Sequence, residues 1–188
     1  MDKNTAWLDE IPAPFAICVR VGDKISEWSG KVFAWFVIPL MLGLVYEVIA
    51  RYVFSAPTKW AYDLTYNFYG ALFMLAAGYT LLKRGHVRTD FIYRTLSAKW
   101  QGILDSVQYI VFFLPAMIVL LWVSSDYTLK SWMLWERAAI TPWMPPIYPL
   151  KTVVPVGAFL LILQGIAELI RSLYAATRDV WPDGKRYD

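Results

Sequence analysis

Apolar residues in this chain fall into four long windows, each fenced by charge. The first runs between Lys31 and Arg51 and contains one charge, Glu47. The second lies between Asp63 and Lys83, the third between Asp105 and Asp126, and the fourth between Lys151 and Arg171, with Glu168 near its far end. Each window is about 19 residues, or about 28 Å of helix, which matches the hydrocarbon core of a bilayer. The windows are apolar on every face, whereas a water-soluble bundle would show polar stripes at helical spacing. The pattern therefore predicts an all-α integral membrane protein with four transmembrane helices, at about 32–50, 64–82, 103–125 and 152–170. These make up a membrane domain over 30–178, with an N-terminal segment 1–29 before it and a tail 179–188 after it.

The segments between the windows carry patterns of their own. Cys18, Val21, Ile25, Trp28, Val32 and Trp35 recur at spacings of three and four, with Arg20, Asp23, Lys24 and Glu27 on the opposite face. This predicts an amphipathic helix in the headgroup layer that turns into the first span, starting at Pro12 and Pro14. Pro39 should kink the first span or sit where a neighbour satisfies the freed carbonyl. Gly85 suits a left-handed cap after the second span, and Asp90 and Ser97 suit helix N-caps. Between those two, "FIYRTL" reads as a second short interfacial element. Helix is then allowed from about 98 to 136, well beyond the membrane thickness, so the third helix should project past the outer face. "TPWMPPIYP" predicts an extended, polyproline-like loop, Pro155 falls in the first turn of the last span, and the tail after Arg178 reads as disordered.

Composition sharpens this picture. The apolar fraction is 58%, and ten tryptophans cluster at the window ends as an aromatic belt. Lys3, Arg20, Lys24 and Lys31 precede the first window; Lys83, Arg84, Arg88, Arg94 and Lys99 lie between the second and third; Arg171, Arg178, Lys185 and Arg186 follow the fourth. Those thirteen of the 18 basic residues place both termini and the middle loop in the cytoplasm by the positive-inside rule. The opening residues, with Asp2, Lys3, Asp9 and Glu10, do not read as a signal peptide. A net charge of +3 gives no reason to expect nucleic acid as a partner; membrane lipids are the expected surroundings.

Chemistry is sparse. One histidine, His86, and one cysteine, Cys18, leave no set for an intramembrane bis-histidine haem, a disulfide or a Cys-x-x-Cys redox centre. No nucleotide loop, metalloprotease His pair or nucleophile elbow is present, so neither enzymatic activity, cofactor nor metal is expected. Glu47, deep in the first window, is the sharpest single residue. It either binds a proton or cation, as in a small stand-alone four-span exporter, or pairs with Arg51 one turn on; the pair is the favoured reading. Asn67, Thr80, Gln108 and Gln164 are the other intramembrane polar groups, too few to line a solute path, and Asn67 and Gln164 suit interhelical hydrogen bonds. Trp132, Trp135, Arg137 and Trp143, with Lys59 and Lys130, form a candidate contact surface for a partner on the outer side.

Residues Arg51–Tyr93 resemble the small membrane subunit of tripartite ATP-independent periplasmic (TRAP) transporters, the DctQ-like family. The likeness rests on Arg51 closing the first span, Trp60 and Asp63 opening the second, the small stretch Ala76–Ala77–Gly78, and the turn Gly85–His86–Val87 with Asp90. "WMPPIYPLKTVVPVGAFLLILQGIAELIR" is similar to a longer-loop branch of the family. Asp63 stands where many relatives carry glutamate, with charge preserved. The resemblance implies a non-catalytic scaffold subunit in the bacterial inner membrane. It would pair with a large membrane subunit that holds the sodium and substrate sites, and a periplasmic solute-binding protein would deliver an organic acid. The alternatives are the stand-alone exporter and a membrane anchor for an enzyme complex.

Overall fold

A computed structural model of the chain describes residues 6–85, 93, 95–139 and 142–182. A 3₁₀ turn, Ala6–Asp9, leads into helix α1, Ala13–Ala34, and then α2, Val37–Tyr52. Helix α3 is Ala61–Leu82. Helix α4, Ala98–Gln108, runs through a π turn, Tyr109–Phe113, into α5, Leu114–Met133, and α6 is Tyr148–Arg178. The β structure among the described residues is one isolated bridge, Arg137 to Pro146. Three helical stretches are long and apolar enough to cross a membrane: Ala13–Tyr52, Ala98–Met133 and Tyr148–Arg178. Helix α3 has sufficient length, about 33 Å for its 22 residues, but Tyr62, Tyr66, Asn67 and Tyr69 lower its hydropathy.

Each proline inside these helices leaves a carbonyl without its donor, and the structure answers each differently. Before Pro39 the chain tightens at Trp35–Phe36, where Ile38 N–H reaches Trp35 O at 3.1 Å, and this separates α1 from α2. Before Pro115 the helix widens instead, and Leu114 N–H bonds Tyr109 O across the π turn. The last helix starts at Tyr148, four residues earlier than the hydropathy window, so Pro155 lies in its interior and not its first turn. The carbonyl that Pro155 orphans belongs to Lys151, and Thr128 on α5 donates its hydroxyl to that oxygen at 2.9 Å.

Helix α6 is the element around which the others assemble, packing on α1, α3, α4 and α5, while α2 rests chiefly on α3. Small residues make much of its inner face: Ala158, Ala167 and Ala175 are fully buried. Gly157 lies against the Met74 backbone, Gly165 under the Phe113 ring, and Gly102 of α4 against Ser172 and Ala175. A side chain at these points would push the backbones apart. In an apolar solvent such close approach, not apolar burial, drives helices together.

The same rule reorganises α1. The predicted helix forms, but the face that packs on α3 and α6 is Ala16, Val19, Gly22, Ser26, Ser29 and Gly30. Trp28 and Trp35, from the expected apolar stripe, are 64% and 69% exposed. Packing continues at Phe36, just before α2, which meets Phe68 at 5.3 Å, and down α2, where Tyr46 stacks on Trp60 at 5.5 Å. Thus α1 and α2 together run antiparallel to α3.

The ends of the helices are closed by residues the sequence pattern did not mark. At the end of α3 Arg84 takes the left-handed position (φ 54°), with Arg84 N–H to Leu81 O and Gly85 N–H to Thr80 O. Gly85, expected in that role, is the residue after it. Ser97 occupies the N-cap position of α4 without a side-chain bond. The carboxylate of Asp179 accepts Lys99 N–H there at 2.6 Å. Trp181 is buried, donates its indole N–H to Gln101 at 2.8 Å, and lies under the Arg84 guanidinium. Asp179 and Trp181 are therefore docked on α4, so the disordered reading does not hold for the start of the tail, and 183–188 lie outside the described residues. Asp90, and Phe91, Ile92 and Arg94 of "FIYRTL", fall outside the described residues.

Because Thr128 serves the carbonyl freed by Pro155, the two residues should be energetically coupled. Thr128→Val should cost about 1–3 kcal/mol, the penalty for a buried unpaired acceptor. In a Pro155→Ala background, where the restored backbone N–H can serve the same oxygen, the cost should shrink to a small fraction. Thermal unfolding of the four variants in detergent measures the cycle; equal costs in both backgrounds would contradict the assignment.

Candidate functional site

The terminal end of the bundle holds a buried charge cluster. Gln164, Glu168 and Arg171 repeat at i, i+4 and i+7 on one face of α6, and Asp23 faces them from α1. Arg171 donates through Nη1 to Glu168 at 2.5 Å and through Nη2 to Asp23. Gln164 Nε2 donates to the same two carboxylates, at 3.3 Å to Asp23 and 3.2 Å to Glu168. Gln164, Glu168 and Arg171 are each at most 5% exposed. One cation thus sits between two anions, with an amide bridging them from the other side. The Gln164 amide oxygen is turned away from the carboxylates and, like Ser26 Oγ on α1, has no partner. A buried carboxylate is costly unless paired and hydrogen-bonded, so this arrangement holds α1 against α6. Gln164 makes the interhelical bond its sequence position suggests, whereas Asp23, on the polar face of α1 by periodicity, turns inward to α6. The i, i+4, i+7 recurrence of Gln, Glu and Arg in an apolar helix was the available signal.

The opposite end of the bundle carries Glu47. Its Oε1 accepts from Arg51 Nε at 2.9 Å and Nη2 at 2.5 Å. Its Oε2 accepts from Thr58 N–H at 3.0 Å and from the Thr58 hydroxyl. Both oxygens are therefore occupied, and Thr58, absent from the sequence argument, ties the end of α2 to the loop that begins α3. Trp60 sits at the N-cap position of α3. Asp63 is 5% exposed and lines a cavity of about 260 Å³ with Tyr62, Tyr66, Asn67 and Pro146. His86 and Asp90 lie outside the described residues.

Around this end the expected extended loop closes on itself. Ala138 N–H bonds Pro145 O at 2.9 Å and Ile147 N–H bonds Glu136 O at 3.0 Å, making a narrow bracket. Glu136 pins it to the bundle, accepting from Ser131 Oγ at 2.7 Å and pairing with Lys151. The Lys151 ammonium, then the Ser131 hydroxyl, hold the Glu136 carboxyl below its ordinary range. Trp132 packs on Tyr148 at 4.3 Å and donates to Thr152 at 2.8 Å, and Trp135 meets the same ring edge-on. Lys130 pairs with Asp126. Lys59, Arg137 and Trp143 are on this end, and all three are exposed. Among the described residues no group of His, Cys, Asp and Glu side chains could hold a metal ion.

The family model described as "Tripartite ATP-independent periplasmic transporters, DctQ component" matches residues 40–174, well over half of the chain. No curated protein matches the chain.

Two substitutions separate the roles of the charges. Arg171→Met strands the buried Glu168 carboxylate and takes the partner of the half-buried Asp23, and should destabilise the protein by about 3–5 kcal/mol, whereas Asp23→Asn, which leaves the Arg171–Glu168 pair, should cost about 1–2 kcal/mol. Thermal unfolding in detergent reads both, and a milder Arg171→Met would contradict the clamp. Glu136 makes stability depend on pH. Its folded value lies below its unfolded value, so its contribution is present at neutral pH and is lost as pH falls through the folded value. The melting-temperature gap between wild type and Glu136→Gln should therefore close in acid, below about pH 4.

Proposed function

We propose that this chain, which belongs to the DctQ family of tripartite ATP-independent periplasmic transporter components, is the non-catalytic scaffold subunit of a sodium-coupled importer of an organic acid. The large membrane subunit carries the ion and substrate sites, and a periplasmic solute-binding protein delivers the substrate. The family match over residues 40–174 is the observation that carries this reading. The use of buried charge supports it. Asp23, Glu168, Arg171 and Glu47 are bound to their own helices and neighbours, where a solute path would leave polar groups facing a cavity. The occupation of both Glu47 oxygens favours a structural pair with Arg51 over the exporter reading.

In this proposal α3 is the fourth span, and the membrane domain extends over 30–178 in the inner membrane with both termini cytoplasmic. Tyr174 bonds Glu10, and Trp7 packs on the Tyr174 ring, so the start of α1 and the end of α6 share one end of the bundle. That shared end supports an even number of crossings. The small-residue packing of α1 supports a helix leaning on the bundle in the cytoplasmic half of the bilayer, its Trp28 and Trp35 face turned to lipid. The other end, with Lys59, Lys130, Trp132, Trp135, Arg137 and Trp143, is then the surface for the binding protein.

Co-purification tests the central statement. An obligate large membrane partner is expected; a homodimer or a redox enzyme as the partner would refute it. Glu47→Gln in an assembled complex should keep sodium-driven uptake, and complete loss of uptake with normal assembly would assign Glu47 an ion-coupling role. Arg137→Glu and Lys130→Glu should raise the binding-protein concentration needed for half-maximal uptake, an effect weakened by salt. An unchanged value in both would remove this surface from docking. Cysteine labelling on a Cys18-free background should mark 130–139 from outside and Lys83 or Lys99 positions only after permeabilisation.

A further inference from the structure

An apolar groove of about 220 Å³ runs between the start of α1 and the end of α6, lined by Ile11, Pro12, Phe15, Ile170, Leu173 and Tyr174. Phe15 and Leu173 on its rim are 52% and 45% exposed, so the slot opens onto an apolar surface and not into the bundle. Its mouth is polar and carries both signs. The exposed Glu10 accepts the Tyr174 hydroxyl at 2.8 Å, and the exposed Arg178 follows Tyr174 by one turn on the same face of α6. Arg20 is engaged with Asp9 at 3.7 Å, and among the described residues Glu10 and Arg178 are the charges beside Tyr174 at the mouth. Helix α6 spans about 46 Å for its 31 residues, more than the roughly 30 Å hydrocarbon layer, so its last turns reach headgroup depth.

We propose that this groove binds one phosphatidylethanolamine molecule, with an acyl chain in the apolar slot, the ammonium on Glu10 and the phosphate on Arg178. Charge complementarity selects that headgroup. A phosphatidylglycerol would bring a phosphate to the mouth with no cation for Glu10. A phosphatidylcholine would bring a quaternary ammonium with no N–H to donate. The lipid would cover the seam where the 3₁₀ turn and α1 meet α6, next to the Trp7–Tyr174 ring contact.

Native mass spectrometry of the detergent-purified protein, with any membrane subunit that accompanies it, tests this when the three lipids are added singly and in competition. A single phosphatidylethanolamine adduct should persist over the other two. Leu173→Trp, which fills the slot at a half-exposed position, should abolish it. Glu10→Gln and Arg178→Gln should each weaken it about tenfold, the loss expected for one charge-assisted hydrogen bond. Should Leu173→Trp fail to fold, the two mouth variants decide alone. Equal retention of all three lipids overturns the proposal, as do adducts unchanged in the mouth variants. So does a cross-link from Phe15→Cys, on a Cys18→Ser background, to another polypeptide seated in the groove.

Discussion

Helices in a bilayer gain little by hiding apolar side chains from one another, because lipid is as apolar as they are. What remains is the closeness with which two backbones can approach, and α6 is built for that. Gly157, Ala158, Gly165, Ala167 and Ala175 give α6 small contact points at which α3, α4 and the π turn come close, and α1 answers with Ala16, Gly22 and Ser26. The large residues are displaced to the outside of the bundle, on α2 and α5 above all. An account that placed them inward, as in a soluble protein, would turn this molecule inside out.

Close approach leaves little room for unpaired polar groups, and the backbone departures follow from that. The tightening before Pro39, the π turn before Pro115 and the Thr128 hydroxyl on Lys151 O are three answers to one missing N–H. The first two change the path of the chain. The third keeps α6 helical across its proline and fastens α5 to it.

The all-helical class, the long third helix and the family were legible in the sequence because they rest on local pattern: charge-free windows, the absence of proline between Pro115 and Pro142, and an ordered series of short motifs. The faces of α1 were not. Helical periodicity reports which residues share a side, and the choice of which side packs depends on the partner's shape. The Asp23–Arg171 contact was hidden for a related reason: nothing near Asp23 in sequence distinguishes it from Lys24 or Glu27. Thr58 and Trp181 were missed because each acts through a fold that brings distant segments together.

The span between Asp23 and Arg171 has a temporal meaning. The two residues are 148 positions apart, and their bond joins the first long helix of the chain to the last. During synthesis the α1 carboxylate is made early and its guanidinium partner is made only when α6 is nearly finished. Until then α1 can be held by α3 alone, and its carboxylate is obliged to stay where water can reach it. The bond that ties the N-terminal helix to α6 can therefore form only late in synthesis, once Arg171 has been added.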